Sequence, residues 1–235
     1  MENFTLKIVD TLAHGSEAKT IRLGLDRDIP YRPGQYLMLT IKAGDKNVTK
    51  PITISSSPTE KGYIEFTKKM TGSAFSNAIS AAKRGDELSV KMPFGKFIFD
   101  GQFEKAAFIS GGIGITPIVP MLKYATDKNI PSSLILLYSG RTPEHLIFKD
   151  VFDNMQKANK HLRITYTVTD CGKDVPNCKT GRIDAKMIDS EIQDYRDRKF
   201  FICGPPAMVG AMRSVLMDDL SVDRSNIFAE DFFGY

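Results

Sequence analysis

The sequence predicts two domains in series: a small antiparallel β-barrel over residues 1–101, then an α/β domain built on a parallel sheet over residues 102–235. Three observations carry that prediction. Before residue 100, short runs of alternating apolar and polar residues are separated by turn residues, the pattern of an antiparallel sheet. After residue 105, apolar runs alternate with helical segments, the pattern of βαβ units. Between them lies Phe108-Ile109-Ser110-Gly111-Gly112-Ile113-Gly114-Ile115-Thr116-Pro117, an apolar run that stops abruptly in glycines.

That central stretch reads as strand, glycine turn and helix N-terminus. Glycines let backbone approach a ligand without a Cβ clash, and a helix start offers unpaired N–H groups to phosphate. Pro117 at the first helical position loses nothing, because its missing N–H would be unpaired anyway. A tight turn with no ligand satisfies the same pattern, so the glycines alone do not decide.

In the first domain, Phe4 to Val9 and Ala18 to Leu25 alternate with strand period, and Asp28-Ile29-Pro30 breaks the second run. Arg32-Pro33-Gly34 is turn chemistry ahead of a strand from Gln35 to Ile41. Ile52 to Ile54, Tyr63 to Lys68 and Glu87 to Met92 complete the strand set, which closes best as a small barrel. One helix interrupts it, Ala74 to Lys83, with Phe75, Ala78, Ile79 and Ala82 on one face. Lys50-Pro51-Ile52-Thr53-Ile54-Ser55-Ser56-Ser57 joins a cation, a strand and a run of hydroxyls able to bond a polar ligand. Gly72-Ser73-Ala74-Phe75-Ser76 sets a glycine and two serines at a helix start, a second anion site or an ordinary N-cap.

In the second domain, Leu134 to Tyr138 is apolar enough for a strand buried on both faces. Leu146 to Ala158 is helical, Leu162 to Val168 a strand, Ile183 to Ile188 a short helix, Phe200 to Cys203 a strand and Pro205 to Leu216 a helix. Ligands of such sheets sit at the carboxyl ends of the strands. The loops expected there begin at Gly111, Ser139, Thr169 and Gly204, and the linker falls near Asp100 to Phe103.

Composition bounds the function. The apolar fraction of 42% suits a chain that buries a core, and no run approaches the roughly 20 residues of a membrane helix. The N-terminus lacks a basic-then-apolar leader, so a cytoplasmic location is expected, with no membrane partner. Three cysteines, Cys171, Cys178 and Cys203, are too few for a disulfide framework or an iron–sulfur cluster, and no metal site is expected. A net charge of +4 suits phosphate ligands or an acidic partner and falls short of a nucleic-acid footprint.

With these pieces in order, the chain resembles the ferredoxin–NADP reductase family, in the manner of oxygenase reductases without an iron–sulfur domain. That family joins a flavin-binding Greek-key barrel to a nicotinamide-nucleotide domain. Lys50-Pro51-Ile52-Thr53 is similar to its Arg-x-Tyr-Ser flavin motif, and Gly72 to Ser76 to its pyrophosphate element. Pro93-Phe94-Gly95 is similar to the loop closing the barrel, and Gly112 to Pro117 to the nicotinamide pyrophosphate turn. Cys203-Gly204-Pro205-Pro206 and Glu230-Asp231-Phe232 are similar to the loop and tail beside the nicotinamide.

The resemblance implies hydride transfer from nicotinamide C4 to flavin N5. On that match Lys50 faces a flavin phosphate, Ile52 lies against the ring, and Thr53 bonds near N5. Cys203 packs near C4, Glu230 orients the nicotinamide or relays protons, and Phe232 shields one ring face, with Tyr235 also in reach. Gly72, Ser73, Ala74, Phe75 and Ser76 hold one pyrophosphate; Gly111, Gly112, Gly114, Thr116, Gly204 and Pro205 hold the other. Ile52 and Phe232 stand where many relatives carry tyrosine, and Lys50 gives up arginine's bidentate grip on phosphate. FAD is the expected flavin, with FMN the alternative.

The electron donor is NADH or NADPH. Asp170 repels a 2′-phosphate and favours NADH, while Arg141, Lys173 and Arg182 pull toward NADPH. The implied acceptor is an acidic electron-transfer protein, a ferredoxin or flavodoxin, or a small molecule. An electron-transfer subunit of a larger complex, or a non-flavin nucleotide-binding module, are the other readings. Oligomeric state leaves no sequence signal.

Overall fold

A computed structural model describes residues 2–170 and 176–232. These separate into two compact units: residues up to Asp100 together with Thr116–Tyr124, and Gly101–Ile115 together with the residues from Ala125 onward.

The first unit holds β1 (Glu2–His14), β2 (Ala18–Gly24), β3 (Tyr36–Ala43), β4 (Lys46–Thr53), β5 (Tyr63–Lys69), α1 (Ala74–Ala81) and β6 (Glu87–Phe94). They form one antiparallel sheet in the order β4-β3-β6-β1-β2-β5. β1 runs longer than its alternation predicts because it serves two neighbours. Glu2 to Lys7 pair with β6, and Ile8 to His14 pair with β2, across a bulge between Ile8 and Asp10. A bulge bends a strand and increases its twist, which curls the sheet. One bridge between Ile54 and Phe66 then joins the chain leaving β4 to β5, so the two edges meet. That is the Greek-key barrel the sequence implies, closed at one end by a single bridge. Its interior is apolar, built on Ile8, Ile21, Leu23, Leu37, Ile64 and Phe66, with Phe75 and Ile79 of α1 packed in.

The second unit holds β7 (Lys105–Gly111), α2 (Ile118–Asp127, whose first turns group with the first unit), β8 (Ser133–Gly140), α3 (Lys149–Ala158) and β9 (Leu162–Val168). It continues with β10 (Cys178–Thr180), α4 (Ala185–Glu191), β11 (Lys199–Gly204), α5 (Pro206–Ser214) and β12 (Ile227–Asp231). The sheet is parallel throughout, in the order β10-β9-β8-β7-β11-β12. Ala107, Ile109, Leu137, Phe200 and Ile202 pack on one face against Val209 and Met212 of α5. On the other face Phe108 stacks on Phe201, and Phe201 on Phe228.

Several local features depart from the sequence reading, beginning with β4, which starts at Lys46 where a strand from Ile52 is expected. The glycine turn is a 3-10 turn over Gly112–Ile115, and the helix begins at Ile118, so Pro117 precedes it. α3 starts at Lys149 and not Leu146, because Phe148 takes a left-handed conformation (φ 64°) that ends the preceding turn. β10 and β12 are strands that the sequence reading leaves out, although β12 opens on the short apolar run Ile227-Phe228-Ala229. Past Ser214, α5 widens into a π turn over Val215–Asp219.

Candidate functional site

In the first unit, Lys50 and the α1 entrance converge. Lys50 pairs with Leu39 across β3 and β4 and is itself exposed, and its ammonium lies 5.6 Å from the centre of the Phe75 ring. Lys68 follows Ile64 and Phe66 at the same strand period on β5, so it faces inward, and it is 4% exposed. Burial, then Lys50 and Lys69, push its ammonium down to about 8. The Nζ of Lys68 donates to the Lys69 carbonyl at 2.8 Å. One buried ammonium, Lys68, with the exposed Lys50 close enough to depress it, makes a place that favours an anion.

α1 opens beside them. Ser73 is its N-cap, accepting from Ser76 N–H at 3.2 Å, and Ser76 Oγ donates to the Ser73 carbonyl. Both hydroxyls are therefore used in the turn itself. Gly72 has φ +72°, and the space beside it is open. Ala74 follows the cap as first residue of the helix, and Phe75 turns into the core. Ile52 is 3% exposed and packs in the barrel core, and Thr53 is also buried.

The serine run does not wait for a ligand. Ser55 Oγ bonds Thr67 Oγ1, Ser56 Oγ accepts from Glu65 N–H and bonds Tyr31, and Ser57 Oγ bonds Thr59 Oγ1. Ser55 and Ser56 thus tie β4's exit to β5, and all three hydroxyls, expected as ligand groups, have protein partners.

In the second unit, the parallel order reverses between β7, which leads to β8 and β9, and β11, which leads to β12. Ligands of open α/β sheets bind at the carboxyl ends of strands at such a switch point. Gly111 ends β7, and Cys203 and Gly204 end β11. A Cβ on Gly114 would lie 2.5 Å from Gly204 Cα and 2.6 Å from the Cys203 carbonyl carbon. Met208 Sδ fills the place of a Cβ at Gly111. Gly114 is thus required by backbone packing, whereas at Gly111 the neighbour is the flexible Met208 side chain. Gly112 alone of the three faces open space, at φ +54°, where a ligand can approach the backbone.

Cys203 is in register with Glu230 of β12, and Phe232 N–H donates to the Gly204 carbonyl at 3.1 Å. Burial, then Glu230 and Asp231, raise the Cys203 thiol well above its usual range, so it stays protonated at neutral pH. Burial pushes the Glu230 carboxyl up to about 7. Pro205 caps α5. Farther along the same edge, Arg141 and Asp170 pair at 3.3 Å, both exposed, while Asp170 N–H donates to the Arg141 carbonyl. The two residues that argue for opposite dinucleotides are bound to each other.

Thr116 is buried and groups with the first unit. Tyr235, Cys171 and Lys173 lie outside the described residues. Sequence reasoning passed over Lys68 and Ser110. A lysine at an inward strand position after Ile64 and Phe66 was the signal for the first. The second, a hydroxyl among the apolar residues of β7, is fully buried and has no hydrogen-bond partner.

The residues fit the groups the sequence implies. The paired cations and open Gly72 suit a phosphate-bearing flavin, and the open Gly112 with an unsatisfied hydroxyl beside it suits a dinucleotide. Among the described residues, no helix is long and apolar enough to cross a membrane.

Comparison with known proteins agrees with both units. Residues 4–99 match the oxidoreductase FAD-binding domain, and residues 108–214 the oxidoreductase NAD-binding domain. The chain is 30% identical over 219 residues to NADH-cytochrome b5 reductase 2 of Lodderomyces elongisporus, covering 89% of this chain and 73% of that protein. It is 29% identical over 207 residues to the glycine betaine monooxygenase reductase subunit of Pseudomonas aeruginosa, covering 86% of this chain and only 56% of that one. The fold is that of a ferredoxin NADP+ reductase from Neisseria gonorrhoeae with bound FAD and NADP. The TM-score is 0.83 at 18% identity, over 99% of this chain and 100% of that one. With a barrel that matches the FAD-binding domain and a parallel sheet that matches the NAD-binding domain, the chain belongs to the ferredoxin–NADP reductase family of flavoprotein oxidoreductases.

Proposed function

We propose that this chain oxidises NADH, loads the electrons on bound FAD, and passes them to a separate acceptor. The observation that carries the reading is the switch point, where Gly112 lies open and Cys203 and Glu230 stand in register on neighbouring strands. When bound, FAD supplies the hydride acceptor and the one-electron steps that follow.

The chain's own residues bind and orient. Lys50 and Lys68 hold flavin phosphate, with Gly72 to Ser76 at the start of α1. Thr53 and Ile52 carry the motif that meets the ring. In the second unit, Gly112 and the turn after it hold the dinucleotide phosphates, and Cys203 meets the nicotinamide from β11. Glu230 holds a proton near neutrality, which lets it donate to or accept from a neighbouring polar group within the working pH range. Phe232, held by its bond to Gly204, closes the same edge.

NADH is favoured because Asp170 occupies Arg141. A 2′-phosphate must displace a carboxylate to reach that guanidinium, whereas a ribose hydroxyl can donate to Asp170.

The acceptor is an acidic electron-transfer protein of the ferredoxin or flavodoxin kind. The first hundred residues carry 15 Lys and Arg against 11 Asp and Glu, while the rest carry 17 of each, so the whole net charge lies in the first unit's stretch. Curated relatives named as a monooxygenase reductase subunit and cytochrome b5 reductases support an electron-transfer partner.

The test is the absorption spectrum of purified protein, identification of the flavin released on heating, and anaerobic mixing with NADH and NADPH. A flavin spectrum bleached faster by NADH is expected. Colourless protein that takes up neither FAD nor FMN overturns the reading. For the partner, turnover with an acidic acceptor should fall steeply with salt; turnover indifferent to salt overturns that part.

A further inference from the structure

Ser110 is the penultimate residue of β7, beside the glycine turn. Its side chain is fully buried, and its Oγ is the one buried side-chain polar atom without a hydrogen-bond partner among the described residues. Leaving a buried hydroxyl unpaired costs stability, so its persistence needs a reason.

The sheet register says which groups it can meet. Ser110 pairs with Tyr138 on one side and Cys203 on the other, and Cys203 pairs with Glu230. In-register residues of parallel strands share a face, so Tyr138, Ser110, Cys203 and Glu230 form one row at the carboxyl edge. Tyr138 is already committed, donating its hydroxyl to the Gly112 carbonyl at 3.2 Å. Cys203 is not. Its sulfur receives the Gly204 N–H, and its thiol keeps a hydrogen still to be placed. Neighbouring strands run about 4.8 Å apart, so one staggered rotamer change brings the serine oxygen within reach of that thiol.

We propose that Ser110 is a positioning residue: its hydroxyl oxygen accepts a hydrogen bond from the Cys203 thiol when dinucleotide is bound. The bond fixes the thiol hydrogen within the sheet and leaves the sulfur lone pairs facing the carboxyl edge. The unsatisfied hydroxyl is the cost of holding that partner in reserve. This rests on the reading of Cys203 as the residue that meets the nicotinamide.

The test uses the full chain loaded with FAD, in a background carrying Cys171→Ala and Cys178→Ala, so that Cys203 is the one thiol present. Infrared difference spectra with and without NAD+ report its S–H stretch. The band should move to lower wavenumber on binding, and Ser110→Ala should abolish the move. Ser110→Ala should also raise Tm, and should slow flavin reduction about fivefold at saturating NADH with KM unchanged, the worth of one ordinary hydrogen bond. In a Cys203→Ala background it should slow nothing further. No shift of the S–H band, an equal rate loss without Cys203, or a lowered Tm with kcat and KM both changed overturns the inference. If Cys203→Ala alone leaves flavin reduction unchanged, the reading of Cys203 falls, and the inference falls with it by a separate sign.

Discussion

Gly114 and Cys203 lie backbone against backbone: a single added methyl at Gly114 would stand 2.6 Å from the Cys203 carbonyl carbon. The turn after β7 and the end of β11 therefore interlock at the switch point through the absence of a side chain. Gly114→Ala should force β11's end outward, costing about 1–3 kcal/mol through overpacking and raising KM for NADH. Gly112→Ala meets no neighbouring atom, and its strain comes from the positive φ alone, about 1–2 kcal/mol. Urea denaturation and NADH titration of both variants separate the two effects.

Lys68 sets a stability trend with pH. Its ammonium is held down to about 8 in the fold against 10.5 for an ordinary lysine. The unfolded chain binds the extra proton between those values, so folding stability of the flavin-free chain should rise as pH climbs from about 8 to 10.5. Lys68→Met should be more stable than the parent at pH 7 and should flatten that rise. The same variant should bind FAD more weakly, seen in flavin retained on dialysis. Equal retention would remove Lys68 from the flavin site.

Glu230 gives the opposite sign. Its carboxyl titrates near 7 in the fold against 4.5 ordinarily, because burial disfavours the charge. The stability it contributes is complete below about pH 4.5 and is lost as pH rises through 7. Glu230→Gln should remove that loss and should delete an ionisation near pH 7 from the rate profile of flavin reduction. A profile unchanged by the substitution would separate Glu230 from the chemistry.

The Arg141–Asp170 pair is exposed on both sides, at 74% and 68%, so breaking it costs little stability. Asp170→Ser should release the guanidinium to grip a 2′-phosphate with two charge-assisted hydrogen bonds. That should raise kcat/KM for NADPH relative to NADH by about tenfold, chiefly through KM. Steady-state rates with both dinucleotides, at one ionic strength, provide the check.

Most of this architecture is legible in the sequence because it rests on local rules. Alternation marks β2, β3, β5 and β6 within a residue or two, and the apolar run into glycine marks β7 and the turn after it. What escapes is decided by distant neighbours. β12 has only the short apolar run Ile227 to Ala229, and its place is set by parallel pairing along β11. The serines at 55–57 look like ligand groups until Thr67, Glu65, Tyr31 and Thr59 are brought to them. Gly114 is glycine for a reason held by the backbone of Cys203 and Gly204, some ninety residues away. Lys68 and Ser110 each interrupt an apolar strand pattern, but only their burial shows that the interruption matters.

The division of β1 between two partners has a consequence during synthesis. Its first half pairs with Glu87 to Met92, some eighty residues downstream, while its second half pairs with the adjacent β2. A growing chain can zip the β1–β2 hairpin as soon as residue 24 clears the ribosome, yet Glu2 to Lys7 must wait for β6. Through that interval the sheet carries an open edge, and Leu6 is left in water. The ribosome's pace across residues 25–92 thus sets how long the nascent barrel stays adhesive, and slow codons there should favour aggregation over closure.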